Sequence, residues 1–314
     1  MYGLVGVLAG VSAFLIDVIV DNLVIWKWSV AQSIMVNQSL SSAMLTFIMM
    51  SSLIGGSAAI LTVFVGPGAI GSGTTELIAY LNGINYPKFI GMRTLFVKMF
   101  GTCLAVSAGL CVGKEGPLAH IGAIIGHAIL YLPFTFLYKF RNEVDKREIA
   151  CAGAAAGVSA AFGSPIGGSL LIYEVSKPSS FWSFDLTWKI FFSSSVATFC
   201  LNILSSLKKG EPVHVMNAGL IKFGQYNSRP YELKDFPFFV ILGICGGLLG
   251  SFFNFINFEV NVLRRIYLNT NWKKVCETLF LCMLTSFLIF SAPLITRSSC
   301  EKINDQDELD AEFI

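Results

Sequence analysis

Long apolar stretches recur along this chain, and they restrict its fold more than any other feature of the sequence. A helix needs roughly 20 consecutive apolar residues to cross the hydrocarbon core of a bilayer. Stretches that reach or approach this length are Met1–Val20, Ser41–Val65, Thr94–Val112, Leu118–Phe136, Ile149–Tyr173, Trp188–Leu207, Phe238–Phe258 and Val275–Ile295. Backbone polar groups in lipid must be satisfied within the protein, which favours helices. The sequence therefore predicts an all-α polytopic membrane protein.

The composition supports the same class. Of the 314 residues, 54% are hydrophobic and 13% are charged, against about 25% charged residues in soluble domains, and the mean hydropathy is +0.67. The net charge of +2 gives no reason to expect a nucleic acid partner, so the expected partner is the lipid bilayer. The eight cysteines include no Cys-x-x-Cys pair and the three histidines match no metal-ligand spacing, so we expect neither a metal nor a cofactor.

Two of the histidines, His120 and His127, are seven residues apart and share one face of a helix. A structural role and a pore-lining role both fit that placement. The sequence contains no nucleophile–base constellation and no set of metal ligands, which a membrane-embedded enzyme would need. We therefore expect that the protein is not an enzyme.

Clusters of glycine, proline and serine interrupt the apolar regions at Gly66–Gly73, Gly113–Pro117 and Gly163–Gly168. Irregular backbone at membrane depth is tolerated only where protein or a wet cavity covers it. Three such breaks in one chain predict helices that stop midway rather than cross the bilayer.

The second break, Gly113–Pro117, places a carboxylate between two long apolar runs. A charged residue at bilayer depth costs a few kcal/mol, so Glu115 is predicted to be functional. Gly113 and Gly116 let the backbone approach a ligand closely, and Pro117 suits the first turn of a helix. Helix starts attract anions, and Glu115 would compete with an anion there. This break therefore predicts an anion site with Glu115 as a candidate gate.

The first break ends in Gly71-Ser72-Gly73, shortly before a helical stretch at Leu77–Leu81. The Ser72 hydroxyl can donate to an anion, and Gly73 offers an unobstructed backbone N–H. Glu76 falls in the first turn, where an acid complements the helix dipole. An ordinary turn would also explain this pattern, and its weight comes from the second break about 40 residues further on.

The third break lies within Gly157–Val175, which begins with small residues that let helices approach closely. Pro165 is predicted to begin a new helix, and this places Glu174 near a helix end. A solvated or lysine-paired carboxylate is an alternative interpretation of Glu174.

Together the three segments resemble the CLC family of voltage-gated chloride channels and chloride/proton exchangers. The family motifs G-S-G, G-K-E-G-P and A-A-F-G-x-P-x-G-G match Gly71–Gly73, Gly113–Pro117 and Ala160–Gly168. The connecting stretches look most like the branch found in intracellular membranes of eukaryotes; they are Ala79–Gly83, Leu118–Gly122, Phe181-Trp182, Leu186–Trp188 and Phe223–Gln225. The resemblance covers nearly the whole chain.

The resemblance implies a homodimer with one pore per subunit, in which two inverted repeats of broken and tilted helices surround a dehydrated anion path. The anion-binding residues that it implies are Ser72, Gly73, Gly71, Gly113 and Gly116, with Glu115 as the external gate. Serine at the second motif position is the choice associated with chloride over nitrate, so chloride is the expected ligand. An intracellular organelle membrane is the expected location rather than the plasma membrane.

The chain departs from the family pattern next to two of these motifs. Thr74-Thr75 replace the usual Ile-Pro, which removes a rigid helix start and adds a backbone N–H and a hydroxyl. The site thereby either gains a donor or becomes looser. Val175, which follows Glu174, falls on the position of the acid that relays protons in exchangers, and valine carries no proton.

The predicted function is therefore chloride transport through a CLC-type pore, channel-like because Val175 replaces the proton-relay acid. One alternative, which the connecting stretches favour, is a chloride/proton antiporter of intracellular membranes. The later motifs of the family and its cytoplasmic CBS pair have no counterpart here, so the chain is expected to be a fragment of a longer protein or a non-conducting product. A truncated subunit that regulates a full-length partner is thus the other alternative.

The predicted domains are a first membrane repeat at residues 1–235, which carries the anion-site motifs, the start of a truncated second repeat at 236–297, and a polar, acidic tail or loop at 298–314. The repeat rests on the likeness of Gly6–Asp17 to Gly243–Asn254. Close packing of glycine-spaced membrane helices would explain the same likeness.

Overall fold

The computed structural model describes residues 1–86, 88–176, 182–210 and 232–295, and within them the chain forms α-helices and short helical turns but no strand. The helices are α1 (Tyr2–Asn37), α2 (Leu40–Ile60), α3 (Thr74–Leu81), α4 (Met92–Ser107), α5 (Glu115–Ile129), α6 (Glu143–Phe162), α7 (Pro165–Ser176), α8 (Phe184–Lys209), α9 (Phe236–Tyr267) and α10 (Asn271–Ile295). The described residues fall into two compact units, one at 1–210 and 275–295 and the other at 232–274. The all-α prediction is confirmed.

Five of the described helices are long and apolar enough to cross a membrane: α1, α2 with its extension to Val65, α8, α9 and α10. The longest, α1, has 36 residues. At about 1.5 Å per residue its axis is about 54 Å long, which exceeds a hydrocarbon core of roughly 30 Å. The prediction of a multi-pass membrane protein is confirmed.

The other three apolar stretches form shorter helices than the sequence predicted. The stretch Thr94–Val112 contains most of α4, with 16 residues, and Leu118–Phe136 contains most of α5, with 15 residues. Ile149–Tyr173 is divided between α6 and α7, because Gly163 ends α6 in a left-handed conformation with φ +66°. Apolar length alone overestimates the number of spans where such breaks interrupt the helix.

Each of the three predicted breaks separates two helices. A π-helical turn at Leu61–Val65 and a 3-10 turn at Pro67–Ala69 lie between α2 and α3. Between α4 and α5 the chain is irregular from residue 108 to 114, and only two residues separate α6 from α7. The prediction of interrupted helices is therefore confirmed at all three positions.

The centre of the first unit is the contact between α5 and α6, whose backbones touch. Gly122 packs against the backbone of Gly153, and Gly157 packs against the carbonyl of Leu118. On α6, every residue from 149 to 161 is buried. Small residues four positions apart on both helices permit this close approach, as in other membrane helix pairs.

A similar contact joins α1 to α8. A Cβ added at Gly6 would lie 2.5 Å from the carbonyl oxygen of Ser193, and one at Gly10 would lie 2.6 Å from that of Ala197. Their counterparts in the second unit, Gly243 and Gly247, have no atom within 4 Å, and every residue of α9 is exposed. Close packing thus accounts for the glycines of α1, and the relation of α9 to α1 as a repeat stays a prediction.

Some predictions lie outside the described residues. These are the connecting residues Phe181 and Phe223–Gln225 and the acidic segment at 298–314. The domain boundaries proposed from the sequence also stay predictions.

Candidate functional site

The Gly71-Ser72-Gly73 segment forms an irregular turn directly before α3. Gly71 and Gly73 have φ angles of +74° and +84°, in the left-handed region that glycine enters without strain. Gly73 is the N-cap of α3, and its carbonyl accepts a 2.9 Å hydrogen bond from the backbone N–H of Leu77. Both glycines are therefore needed for the turn that presents Ser72.

The Ser72 hydroxyl is exposed and contacts the residue that departs from the family pattern. Its Oγ lies 2.8 Å from Oγ1 of Thr74. It also accepts a 3.4 Å hydrogen bond from the backbone N–H of Thr74. Thr74 is the first residue of α3, so the start of this helix and the Ser72 hydroxyl are directly connected.

A buried lysine holds the same turn from the side of α4. Lys98 is 2% exposed, and its Nζ donates to the carbonyls of Gly71 at 2.8 Å and Ala69 at 3.1 Å. These bonds satisfy two carbonyls of the irregular segment between α2 and α3, and a buried carbonyl needs such a partner. They also place a positive charge beside Ser72.

The Gly113–Pro117 motif starts α5, which begins at Glu115, so Pro117 stands in the first turn as predicted. The half-buried Glu115 side chain folds back on its own loop, and its carboxylate lies so close to Gly113 that a side chain there would collide with it. Lys114, the residue before the helix, forms an ion pair with Asp17 of α1. The glycine at position 113 thus leaves room for the carboxylate at position 115.

The two motifs meet at Gly116. A Cβ added there would lie 2.8 Å from the Cβ of Ser72 and 3.6 Å from Cγ2 of Thr74. The N-terminal ends of α3 and α5 are therefore in van der Waals contact. Only glycine fits at position 116 without displacing Ser72.

Residues of this contact line two cavities. The Ser72 cavity has a volume of about 440 Å³, and its lining includes Gly71, Ser72, Lys98, Gly113 and Pro117. The Glu115 cavity has a volume of about 250 Å³, and its lining includes Thr74, Glu115, Gly116, Val158, Phe162, Ile172 and Val175. The candidate site residues from the three breaks thus converge on one region of the first unit.

Val175 lies in the same cavity as Glu115, among apolar side chains such as Val158 and Ile172. Its neighbour Glu174 is exposed near the C-terminal end of α7, as the sequence predicted. The position that the resemblance assigns to a proton-relay acid therefore lines the same cavity as the candidate gate, but it carries a side chain that cannot ionise.

His120 supports the turn at Gly73 from its buried side. The side chain is 0% exposed, its Nε2 lies 3.0 Å from the Phe89 carbonyl oxygen, and its ring stacks on that of Phe89 at 4.1 Å. A Cβ added at Gly73 would lie 2.8 Å from Cγ of His120. This contact fits a structural role for His120, one of the two roles that the sequence left open. The ring of His127 contacts that of Tyr131, with 5.1 Å between the centroids.

Sequence reasoning missed the partners of Lys98 and Lys114. Lys98 is the lone charge in the apolar stretch Thr94–Val112, and Asp17 is an acid inside another long apolar stretch. Isolated charges in such stretches usually face the interior and pair with one another or with carbonyls. This pairing rule could have indicated, from the sequence alone, that Lys98 and Asp17 lie near the site.

The chemistry of this arrangement suits a small anion. The positive ends of two helices, a hydroxyl and a buried ammonium converge, and the carboxylates of Glu76 and Glu115 lie in the first turns of these two helices. Helix starts and backbone N–H groups attract negative charge, and a carboxylate competes for the same place. The roles of Ser72, Gly71, Gly73, Gly113 and Gly116 as anion ligands and of Glu115 as a gate stay predictions.

Interrupted helices whose starts meet beside two cavities define this chain as a CLC-type membrane protein. A structure described as an X-ray crystal structure of a slow cyanobacterial Cl⁻/H⁺ antiporter matches with a TM-score of 0.72 and 24% identity, over 91% of this chain and 62% of the other. A crystal structure of a eukaryotic CLC transporter matches with a TM-score of 0.70 and 23% identity, over 90% of this chain and 48% of the other. These likenesses establish the fold.

The chain belongs to the voltage gated chloride channel family, whose model matches residues 54–306. It is 35% identical over 300 residues to the mouse protein named H(+)/Cl(-) exchange transporter 7, which covers 91% of this chain and 37% of the relative. It is 36% identical over 299 residues to chloride channel protein D of Dictyostelium discoideum, which covers 92% of this chain and 29% of the relative. The chain therefore spans about a third of the length of these relatives.

Proposed function

We propose that this chain forms one side of a chloride pathway in a CLC transport protein. The observation that carries the proposal is the contact between Ser72 and Gly116, which joins the starts of α3 and α5 beside two cavities. A chloride ion that leaves water needs several donors and no fixed negative charge beside it. The Ser72 cavity offers a hydroxyl, irregular backbone and the Lys98 ammonium.

In this proposal Ser72 donates its hydroxyl to the ion, and the backbones of Gly71, Gly73, Gly113 and Gly116 line the path. Lys98 attracts the ion through its charge, while its hydrogen bonds to the Gly71 turn hold Ser72 in place. Glu115 acts as the gate: ionised, it occupies the anion path, and protonated or rotated away, it leaves the path open.

We propose chloride/proton exchange as the mode of transport. The support comes from relatives, since the mouse protein matched over most of this chain is named an H(+)/Cl(-) exchange transporter. In this mode Glu115 binds the transported proton at the external end of the pathway, and Glu174 or a water chain takes the place of the missing relay acid.

Channel-like conduction is the second candidate, and Val175 is the observation that favours it. Val175 lines the Glu115 cavity among apolar side chains, and none of these can bind a proton. A pathway of this kind would pass chloride with weak proton coupling or none. We also propose a homodimer in an intracellular organelle membrane. The family resemblance supports the homodimer, and the connecting stretches noted in the sequence support the organelle membrane.

Measurement of chloride and proton fluxes on the same liposomes decides between the two modes. The liposomes hold the full-length protein that carries this sequence. Proton movement against its gradient, driven by chloride at a fixed ratio, supports exchange, and chloride flux without proton movement supports the channel-like mode. If the protein moves neither ion, the proposed function is wrong, and the alternative of a regulatory subunit remains.

Glu115→Ala tests the gate within the same assay. We expect chloride flux that no longer responds to external pH, with proton movement abolished. Asp185→Asn is the control, because it removes an exposed carboxylate that pairs with Lys189 on α8 outside the candidate site, and it should retain the pH response of chloride flux. A Glu115→Ala protein with wild-type pH dependence would refute the role of Glu115.

A further inference from the structure

Thr74 stands where the family pattern has isoleucine, and its hydroxyl is part of the candidate site. Thr74 contacts Ser72 twice, through the 2.8 Å approach of the two hydroxyl oxygens and through its backbone N–H. The neighbouring threonine behaves differently, because Oγ1 of Thr75 donates to Oε2 of Glu76 at 2.9 Å. Thr74 therefore contacts Ser72, whereas Thr75 forms its hydrogen bond within the first turn of α3.

The direction of the hydrogen bond between the hydroxyls decides what Ser72 offers to an ion. A hydroxyl has one donor and two acceptor positions. If Ser72 donates to Thr74, its only proton is used within the protein. If Thr74 donates to Ser72, Ser72 accepts from the hydroxyl and from the N–H of Thr74, and its own proton stays available.

An anion in the Ser72 cavity selects the second arrangement, since an anion accepts hydrogen bonds and donates none. Thr74 then donates to Ser72, and Ser72 donates to the anion. Hydrogen bonds in such a chain polarise one another, so the terminal donor becomes stronger. Isoleucine at position 74 has no group that could donate in this way.

Neighbouring residues keep the Ser72 and Thr74 hydroxyls within hydrogen-bond distance of each other. Lys98 fixes the turn through the Gly71 carbonyl at 2.8 Å, and Gly116 packs against both Ser72 and Thr74. Ser72 lines one cavity and Thr74 lines the other, which also contains Glu115. The hydroxyl pair thus lies at the boundary between the proposed anion site and the proposed gate.

We propose that Thr74 is a specificity-determining residue, whose hydroxyl donates to Ser72 and so strengthens the Ser72 donor toward a small halide. This inference rests on the proposed chloride pathway. A stronger, directed donor favours a compact ion such as chloride over nitrate, in which the negative charge is spread over three oxygens. The Thr74 hydroxyl therefore raises both the chloride affinity and the preference for chloride over nitrate.

The test is chloride binding by calorimetry and chloride-over-nitrate flux in liposomes, with the full-length protein. Thr74→Val removes the hydroxyl at nearly constant shape. We expect it to weaken chloride binding by about fivefold to tenfold, the effect of one hydrogen bond, and to lower the chloride-over-nitrate ratio. Thr74→Ser retains the hydroxyl and should retain both properties, as should Thr75→Val, the matched control on the neighbouring residue.

Two further variants keep the outcome decisive. Thr74→Ile introduces the residue typical of the family, so it offers a second hydroxyl-free protein if Thr74→Val does not fold. Ser72→Ala tests the underlying pathway, and wild-type chloride binding in that variant overturns the proposed function itself. If Ser72→Ala weakens binding while Thr74→Val and Thr74→Ile match wild type, or Thr75→Val has the same effect as Thr74→Val, the inference about Thr74 is wrong and the pathway stands.

Discussion

Ser72, at the end of the first broken segment, packs directly against Gly116 in the first turn of α5, with 2.8 Å between the Ser72 Cβ and the position that a Cβ on Gly116 would take. Because α3 and α5 touch at this point, the hydroxyl of one segment and the carboxylate that starts the other cannot be positioned independently. Changes on either side of the contact are therefore expected to alter both the candidate ligand and the candidate gate.

Gly116→Ala is expected to push Ser72 away from its present position. Overpacking of this kind costs about 1–3 kcal/mol, so we expect chloride affinity to fall by about tenfold, measured by calorimetry. Gly91→Ala is the matched control, since a Cβ on Gly91 would have no atom within 4 Å and the backbone there is extended. Equal chloride affinity in the two variants would contradict the importance of the contact.

Lys98→Met is expected to destabilise the Gly71 turn. The substitution leaves the carbonyls of Ala69 and Gly71 without the Nζ donor, and a buried polar group that loses its partner costs about 1–3 kcal/mol. The readout is thermal unfolding in detergent with and without chloride, and we expect a lower midpoint and a smaller shift by chloride. Lys189→Met is the control, because Lys189 pairs with an exposed Asp185 on α8; a similar loss in that variant would count against a special role for Lys98.

Asp17→Asn is expected to weaken the attachment of the α5 start to α1. The ion pair with Lys114 is partly buried, with side chains 22% and 29% exposed, so its loss should cost about 1–3 kcal/mol, between the values for exposed and buried pairs. Asp21→Asn removes the more exposed pair with Lys208 and serves as the control. A double-mutant cycle with Lys114→Met measures the coupling, and additive effects on the free energy of unfolding would exclude a direct interaction.

Val175→Glu is expected to introduce a proton-binding group into the cavity that contains Glu115. We expect proton flux per chloride to rise above the wild-type value, measured with a pH-sensitive dye and a chloride electrode on the same liposomes. The change also places a carboxylate among apolar residues, so a lower unfolding temperature should accompany it. Glu174→Gln in the same background identifies the carrier: if the gain disappears with Glu174, the new carboxylate at position 175 is not responsible.

Features encoded by neighbouring residues could be predicted from the sequence. Gly73 precedes a helix in a left-handed turn, Pro117 stands in the first turn of α5, and Gly163 ends α6, because each depends on local backbone preferences. The family resemblance added the convergence of the motifs, and the contact between Ser72 and Gly116 agrees with it.

Relationships between distant residues could not be predicted in the same way. The pairing of Lys114 with Asp17 joins residues 97 positions apart, and the bonds from Lys98 to the Gly71 turn depend on how α4 packs beside it. The number of spans was overestimated because hydropathy counts apolar residues without showing where a helix ends. In each case tertiary packing decides the outcome.

The glycine-mediated seam between α5 and α6 has a mechanical consequence for any gating event. Translating or twisting α5 by one residue would bring a larger side chain against the facing main chain, so the two helices behave as a single stiff block. If Glu115 acts as a switch, the movement must then come from rotation about its own side-chain bonds rather than from a shift of α5 along its axis.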